Sequence, residues 1–141
     1  KNNKGRTIKN RIQSWVKYEV FDVSDSSFLS KSTPLAAKDL KYSLTNNFTR
    51  VTLVNKTAKE RVTIDFSLVY SGNKKTKMLN NVTIVELKQE KLNRNSPIFL
   101  GLSKYQVKPS SFSKYCIGIV LLKDNIKYNR FKSTLLKLKA Y

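Results

Sequence analysis

The chain has no histidine and a single cysteine among its 141 residues. Without histidine, the commonest general base and every histidine-ligated metal site are excluded. Because Cys116 stands alone, an internal disulfide and a cysteine-cluster zinc site are excluded as well. No apolar run approaches the roughly 18 residues that a membrane-spanning helix needs, and no signal peptide is visible. These absences are compatible with a cytoplasmic protein, which is the location we expect.

Acidic residues are also scarce, since nine Asp and Glu stand against 28 Lys and Arg, for a net charge of +19. The charge is spread through segments that also carry Val, Ile and Phe, which favours a folded basic surface or cavity over a charged tail. Such a field attracts polyanions, so the expected partner is nucleic acid, an anionic membrane surface, a nucleotide or a phosphate polymer.

The hydrophobic fraction of 40% is enough to form a core, and we expect a single domain over residues 1–141. The sequence begins with Lys1 instead of an initiator Met. We therefore expect the chain to be a fragment, a processed product or the ordered remainder of something longer, with any missing part on the N-terminal side.

Two runs with strand periodicity stand at the centre of the chain, at residues 47–54 and 60–66, joined by the polar turn NKTAK. Alternation places Arg50 on one face of the first run, and Arg61 with Asp65 on one face of the second, opposite aliphatic residues. This pattern predicts a hairpin with one apolar and one arginine-bearing face. The alternative is an ordinary half-exposed hairpin whose arginines meet solvent.

Two further segments repeat this pattern. Residues 7–13 predict a strand with Lys9 and Arg11 on one side, although such residues are often merely solvated. Residues 82–88 predict a strand with Glu86 and Lys88 on one face. This Glu and Lys are either a surface ion pair of little energetic value or a metal-binding carboxylate beside a phosphate-binding cation.

The remaining segments predict mostly helices and loops. Residues 14–32 predict a strand or short helix followed by a serine-rich connection, and one or two helical turns are expected after Pro34. Residues 68–81, rich in Lys and Asn, predict a loop or splayed strand end. A helix should begin at Ser96 and Pro97, and residues 126–138 have the spacing of an amphipathic helix.

Several strands with basic residues on one face need a reason to turn those faces together, because like charges in an empty interior repel and lose their hydration. A phosphate-rich ligand supplies that reason. Curved into an antiparallel barrel with helices packed outside, the strands would line a tunnel with Lys and Arg. The expected fold class is therefore α+β.

Four motifs in this order carry a family resemblance: KGRTIKNRI at residues 4–12, RVTID at 61–65, VELK at 85–88 and FSKYCIG at 112–118. Together they resemble the VTC domain, the polyphosphate polymerase domain of the triphosphate-tunnel (CYTH-like) superfamily. The resemblance implies an antiparallel β-tunnel that binds triphosphate or polyphosphate with Mn²⁺ or Mg²⁺. The family's first charged strand is not in this chain, so the resemblance implies that residues 1–141 are the larger, C-terminal part of the domain, with one or more N-terminal strands missing. Ser111 stands where the family has a basic residue.

The resemblance also implies roles for individual residues, of which Arg50, Arg61 and Lys114 are expected to be catalytic. Glu86 is the expected metal ligand. The expected phosphate-binding residues are Lys9, Arg11, Arg50, Arg61, Lys88, Ser113 and Lys114.

The implied activity is that of a phosphotransferase, which transfers the γ-phosphate of a nucleoside triphosphate to a growing polyphosphate chain. A hydrolase of triphosphate or polyphosphate is the first alternative, and it requires a carboxylate that activates water. Asp65 is a candidate for that role, but it could equally hold an arginine in place. A non-catalytic binder of polyphosphate or RNA is the second alternative. RNA is not favoured, because the aromatic residues fall mostly on apolar or helix faces and not among the basic residues, as with Phe48, Phe66, Phe99 and Phe131.

Overall fold

The computed structural model describes residues 9–14, 21–72 and 74–139, which divide into two compact units at the boundary between Tyr42 and Ser43. Helices and antiparallel strands are mixed, which confirms the α+β class. The first unit contains α1 (Val23–Ser32) and a 3-10 helix (Ala37–Asp39). The second contains β1 (Thr45–Val54), β2 (Glu60–Gly72), β3 (Lys75–Leu79), β4 (Ile84–Gln89), α2 (Pro97–Lys104), α3 (Lys114–Leu122), a 3-10 helix (Asn129–Phe131) and α4 (Lys132–Lys139).

The first unit departs from the sequence prediction. The serine-rich connection is the helix α1, because two reciprocal hydrogen bonds cap its start. The Asp22 carboxylate accepts from the Asp25 N–H at 2.7 Å, and the Asp25 carboxylate accepts from the Asp22 N–H at 3.4 Å. The predicted turns after Pro34 are reduced to one 3-10 helix. The predicted strand at residues 7–13 is absent where the structure describes it, at residues 9–13; residues 7–8 lie outside the described part.

The central hairpin of the second unit is confirmed. Strands β1 and β2 pair antiparallel, with Arg50 opposite Asp65 and Val54 opposite Arg61. The connecting turn is held by Asn55, whose side-chain oxygen accepts hydrogen bonds from the backbone of Thr57 at 2.9 Å and of the next residue at 3.1 Å.

The prediction of a loop or splayed strand end at residues 68–81 is wrong, because β2 continues to Gly72 and β3 pairs with it. Strand β3 is a short lysine-bearing strand at the edge of the sheet, and lysines are common on edge strands because they discourage pairing with other chains. The strand predicted at residues 82–88 is confirmed as β4, and the helix start at Ser96 as α2. The C-terminal helix is confirmed only from Lys132, after a 3-10 turn.

The described strands do not form the closed barrel that the sequence predicted. Strand β2 is central; β1 lies along one side, while β3 and β4 share the other side, one after the other. The result is an open four-stranded sheet. The described strands number four, against about eight in a small barrel whose interior is filled by side chains. The tunnel is therefore not seen in the described part of the chain.

A bulge in β2 decides which residues share a face. Phe48 of β1 lies opposite two residues of β2, Ser67 and Leu68, and Ser67 has a positive φ of 53°. The extra residue reverses the alternation, so Leu68 and the following Tyr70 lie on the same face as Asp65.

Helix α3 packs on this face, where Leu68, Tyr70 and Leu122 form the core. Tyr70 is fully buried, and burial raises its pKa to about 12. Gly118 lets the helix approach closely, because a Cβ there would lie 2.5 Å from Cδ1 of Tyr70. No helix among the described residues is both long enough and apolar enough to cross a membrane.

Candidate functional site

Beyond the core, the same face of β1, β2 and β4 carries charged and hydroxyl side chains, and we call this part the cationic face. Its members are Arg50, Thr52, Arg61, Thr63, Asp65, Glu86 and Lys88.

The centre of the cationic face is the carboxylate of Asp65, whose side chain is 1% exposed. Arg50, its direct partner on β1, donates from Nε to Oδ1 at 2.6 Å and from Nη2 to Oδ2 at 2.7 Å. Such a two-point contact fixes both the position and the plane of the guanidinium. Asp65 therefore holds an arginine, which was one of its two predicted roles.

Lys114 reaches the same carboxylate from the first residue of α3, with Nζ 2.5 Å from Oδ2. Ser113 caps this helix, since its hydroxyl oxygen accepts a hydrogen bond from the Cys116 N–H at 3.3 Å. Lys114 and Gly118 are one helical turn apart, so they lie on the same side of α3. The close approach at Gly118 thus brings Lys114 to Asp65.

The ring of Phe48 lies beneath both cations. The guanidinium carbon of Arg50 is 5.0 Å from the ring centroid, and Nζ of Lys114 is 4.7 Å from it. Both distances are within the range of cation–π attraction. Phe48 and Asp65 together hold the two cations side by side.

The electrostatics of this cluster favour the charged forms. Hydrogen bonds from Arg50, and then from Lys114, lower the pKa of Asp65 to about 2 against the opposing effect of burial. The hydrogen bond to Asp65 raises the pKa of Arg50. Two cations face one carboxylate, so the cluster keeps a net positive charge.

The cations also keep unused hydrogen-bond donors. Asp65 occupies one edge of the Arg50 guanidinium and one donor of the Lys114 ammonium, which leaves further N–H groups on each. The Arg50 side chain is 42% exposed and that of Lys114 is 21% exposed, while Asp65 lies behind them. The cluster can therefore bind an anion that carries several acceptor oxygens.

A second cationic group lies further along the face. Arg61 and Lys88 are direct partners across β2 and β4, an arrangement of like charges that destabilises a bare sheet. Arg61 has no ion-pair partner within the described residues. With Lys56 and Lys59 of the turn, these two residues line a surface cavity of about 580 Å³.

Glu86 and Lys88 share a face, as predicted, and form an ion pair with Nζ and Oε1 3.1 Å apart. Both side chains are about half exposed. In the part of the chain that the structure describes, no three potential metal-ligating side chains cluster together. A lone carboxylate nevertheless suits Mg²⁺ or Mn²⁺ where substrate phosphates and water complete the coordination shell.

Of the predicted site residues, Arg50 and Lys114 come together, with Ser113 next to them, and Arg61, Lys88 and Glu86 share the cationic face. Lys9 and Arg11 are exposed and lie in the first unit, outside any helix or strand. Thr63 was not among the predicted site residues. Phe48 was counted among the aromatic residues on apolar faces, which is wrong for its ring, because that ring contacts Arg50 and Lys114. Phe48 lies on the parity of Arg50, which is the signal that could have found it.

Comparison with protein-family models gives a match to the VTC domain over residues 29–123, more than half of the chain. The chain belongs to the VTC domain family. The match contains the Arg50, Asp65 and Lys114 cluster as well as Arg61 and Glu86, whereas Lys9 and Arg11 precede it. Membership in this family points to a polyphosphate-related function. Neither a curated protein nor a solved structure matches the sequence.

Proposed function

We propose that this VTC domain binds the phosphates of a nucleoside triphosphate and of inorganic polyphosphate on its cationic face, and transfers the γ-phosphate to the growing chain. The observation that carries the proposal is the Arg50, Asp65 and Lys114 cluster, with its unused donors directed away from a buried carboxylate. Membership in the VTC domain family supports a polyphosphate-related ligand.

Phosphoryl transfer requires the protein mainly to position the two substrates and to neutralise the charge of their phosphates. A terminal oxygen of the polyphosphate chain attacks the γ-phosphorus, the bond from that phosphorus to the β–γ bridging oxygen breaks, and a nucleoside diphosphate leaves. Arg50 and Lys114 neutralise the transferred phosphoryl group and hold it in line. Ser113, which caps α3 beside Lys114, adds a hydroxyl donor. Arg61 and Lys88 bind neighbouring phosphates.

Glu86 is the residue that would hold Mn²⁺ or Mg²⁺. The ion would neutralise phosphate charge when bound. Because its side chain is half exposed, Glu86 is accessible to an ion that arrives with the substrate, and that ion would replace the ammonium group of Lys88 on the carboxylate.

Hydrolysis is less well supported than transfer. Asp65 was the candidate base, but a carboxylate with a pKa of about 2 is a weak base, and its side chain is almost fully buried behind two cations.

A binder without turnover is the second candidate function, because the described strands form one open wall and not a closed tunnel.

The test is to incubate the protein with ATP and Mn²⁺ and to resolve the products by gel, with polyphosphate staining and an assay of free phosphate. Long chains together with ADP establish the polymerase. Free phosphate without chains contradicts transfer and supports hydrolysis. Tight binding of added polyphosphate without turnover reduces the function to binding.

A further inference from the structure

Thr63 lies in the middle of the cationic face, between Arg61 and Asp65 on β2. Its direct partners are Thr52 on β1 and Glu86 on β4. The first cationic group is Arg50 with Lys114, bound to Asp65, and the second is Arg61 with Lys88. Asp65 and Arg61 are four residues apart on β2, or about 13 Å at the ~3.3 Å rise of a strand. Thr63 is half-way between them.

The hydroxyl of Thr63 is buried without a hydrogen bond. The residue is 6% exposed, and its Oγ1 has no partner among the described residues. Ser96 is buried to a similar degree, but its hydroxyl accepts from the Phe99 N–H at 3.2 Å and caps α2. An unpaired buried hydroxyl weakens the folded state, whereas a methyl group in its place would not.

The neighbours of Thr63 on this face include the long side chains of Arg50, Arg61, Glu86 and Lys88, by strand register. Arg61, Glu86 and Lys88 are exposed, so their ends can move when an anion binds, while Arg50 stays on Asp65. A hydroxyl covered by strand backbone could not be uncovered in this way. A phosphate chain that draws the cations Arg61 and Lys88 outward would reach the hydroxyl beneath them.

We propose that Thr63 is a phosphate-binding residue, which donates its hydroxyl hydrogen to an oxygen of the phosphate that lies between the two cationic groups. The inference rests on the proposed function and adds a position to it. The unpaired hydroxyl is then a cost to stability that the bound ligand removes.

The test compares Thr63→Val, Thr63→Ser and Thr49→Val in the whole chain. Thr49 is exposed on the opposite face of β1 and serves as the matched control. Calorimetric titration with polyphosphate of defined length, in metal-free buffer at fixed salt, measures affinity, and urea unfolding measures stability. Hydrogen bonds to charged groups are strong enough that Thr63→Val should lose about tenfold in affinity.

Thr63→Val should lose affinity without losing stability, because it removes an unpaired group from the free protein. We expect its urea midpoint to be unchanged or raised, while Thr63→Ser and Thr49→Val bind within about twofold of wild type. Unchanged affinity in Thr63→Val, or a parallel loss of stability and affinity, overturns the role of Thr63. A wild-type chain that does not bind polyphosphate overturns the proposed function itself, and the Thr63 inference with it.

Discussion

Arg50 and Asp65 are direct partners across β1 and β2, and the arginine holds the carboxylate through two hydrogen bonds of 2.6 and 2.7 Å. Lys114 binds the same carboxylate from a helix that lies far along the chain. One buried acidic residue thus joins the hairpin to α3 and places two cations together.

The buried carboxylate makes stability depend on acid pH. The pKa of Asp65 is about 2 in the folded protein and 3.8 for an unperturbed carboxyl. Its contribution is therefore complete above pH 3.8 and disappears as the pH falls toward 2. The shift corresponds to about 2 kcal/mol.

Asp65→Asn should accordingly be less stable than wild type by at least about 2 kcal/mol at neutral pH, with a smaller gap in acid. Urea unfolding at neutral pH and near pH 3 measures both gaps. Asp124→Asn is the control, because Asp124 is an exposed partner of Lys75 and its loss should matter little. A gap that stays constant with pH contradicts the assigned pKa.

The cationic face should bind triphosphate through Arg61. Arg61→Ala is expected to weaken tripolyphosphate binding by about tenfold or more, since it removes a charged hydrogen-bond donor from the cavity beside Lys88. Lys74→Ala removes the same charge from the exposed turn before β3 and should change affinity by less than about twofold. Calorimetric titration measures the affinity of both variants for tripolyphosphate. Equal losses of affinity would show that Arg61 acts only through its general charge and would contradict a specific site.

Glu86→Gln should abolish the metal dependence of turnover while the fold remains intact. The half-exposed ion pair with Lys88 contributes at most about 1 kcal/mol, so the unfolding midpoint should barely move. Activity is measured over a series of Mn²⁺ concentrations. Glu90→Gln, which affects an exposed pair with Lys59, is the matched control. Wild-type activity of Glu86→Gln in Mn²⁺ removes this residue from the site.

The packing of α3 should be sensitive to a single methyl group. Gly118→Ala is expected to destabilise the protein by about 2 kcal/mol, because its Cβ would overlap the fully buried ring of Tyr70. Gly101→Ala in α2 meets nothing within 4 Å and should gain up to about 1 kcal/mol from helix propensity. Thermal unfolding of the two variants gives the comparison, and equal effects would contradict the close contact.

Much of the local structure was predictable. The alternation around Arg50 and Arg61 predicted the hairpin and its faces, and the cap at Ser96 predicted the start of α2. The capping residues Asp22 and Asp25 were a signal for α1 that the serine-rich composition obscured. The strand β3 within residues 68–81 was not predictable from composition, because it forms by pairing with β2.

The sequence by itself determined the charge, the order of the family motifs and the parity of residues within each strand, because alternation is a property of neighbouring residues. Only the tertiary structure decided that Lys114 meets Asp65, that the bulge at Ser67 brings Tyr70 to the face of Asp65, and that the described strands form an open sheet. Each of these depends on contacts between segments distant in the chain. The position of Lys114 follows from the packing of α3 against Tyr70 at Gly118, and not from the helix propensity of the residues in α3.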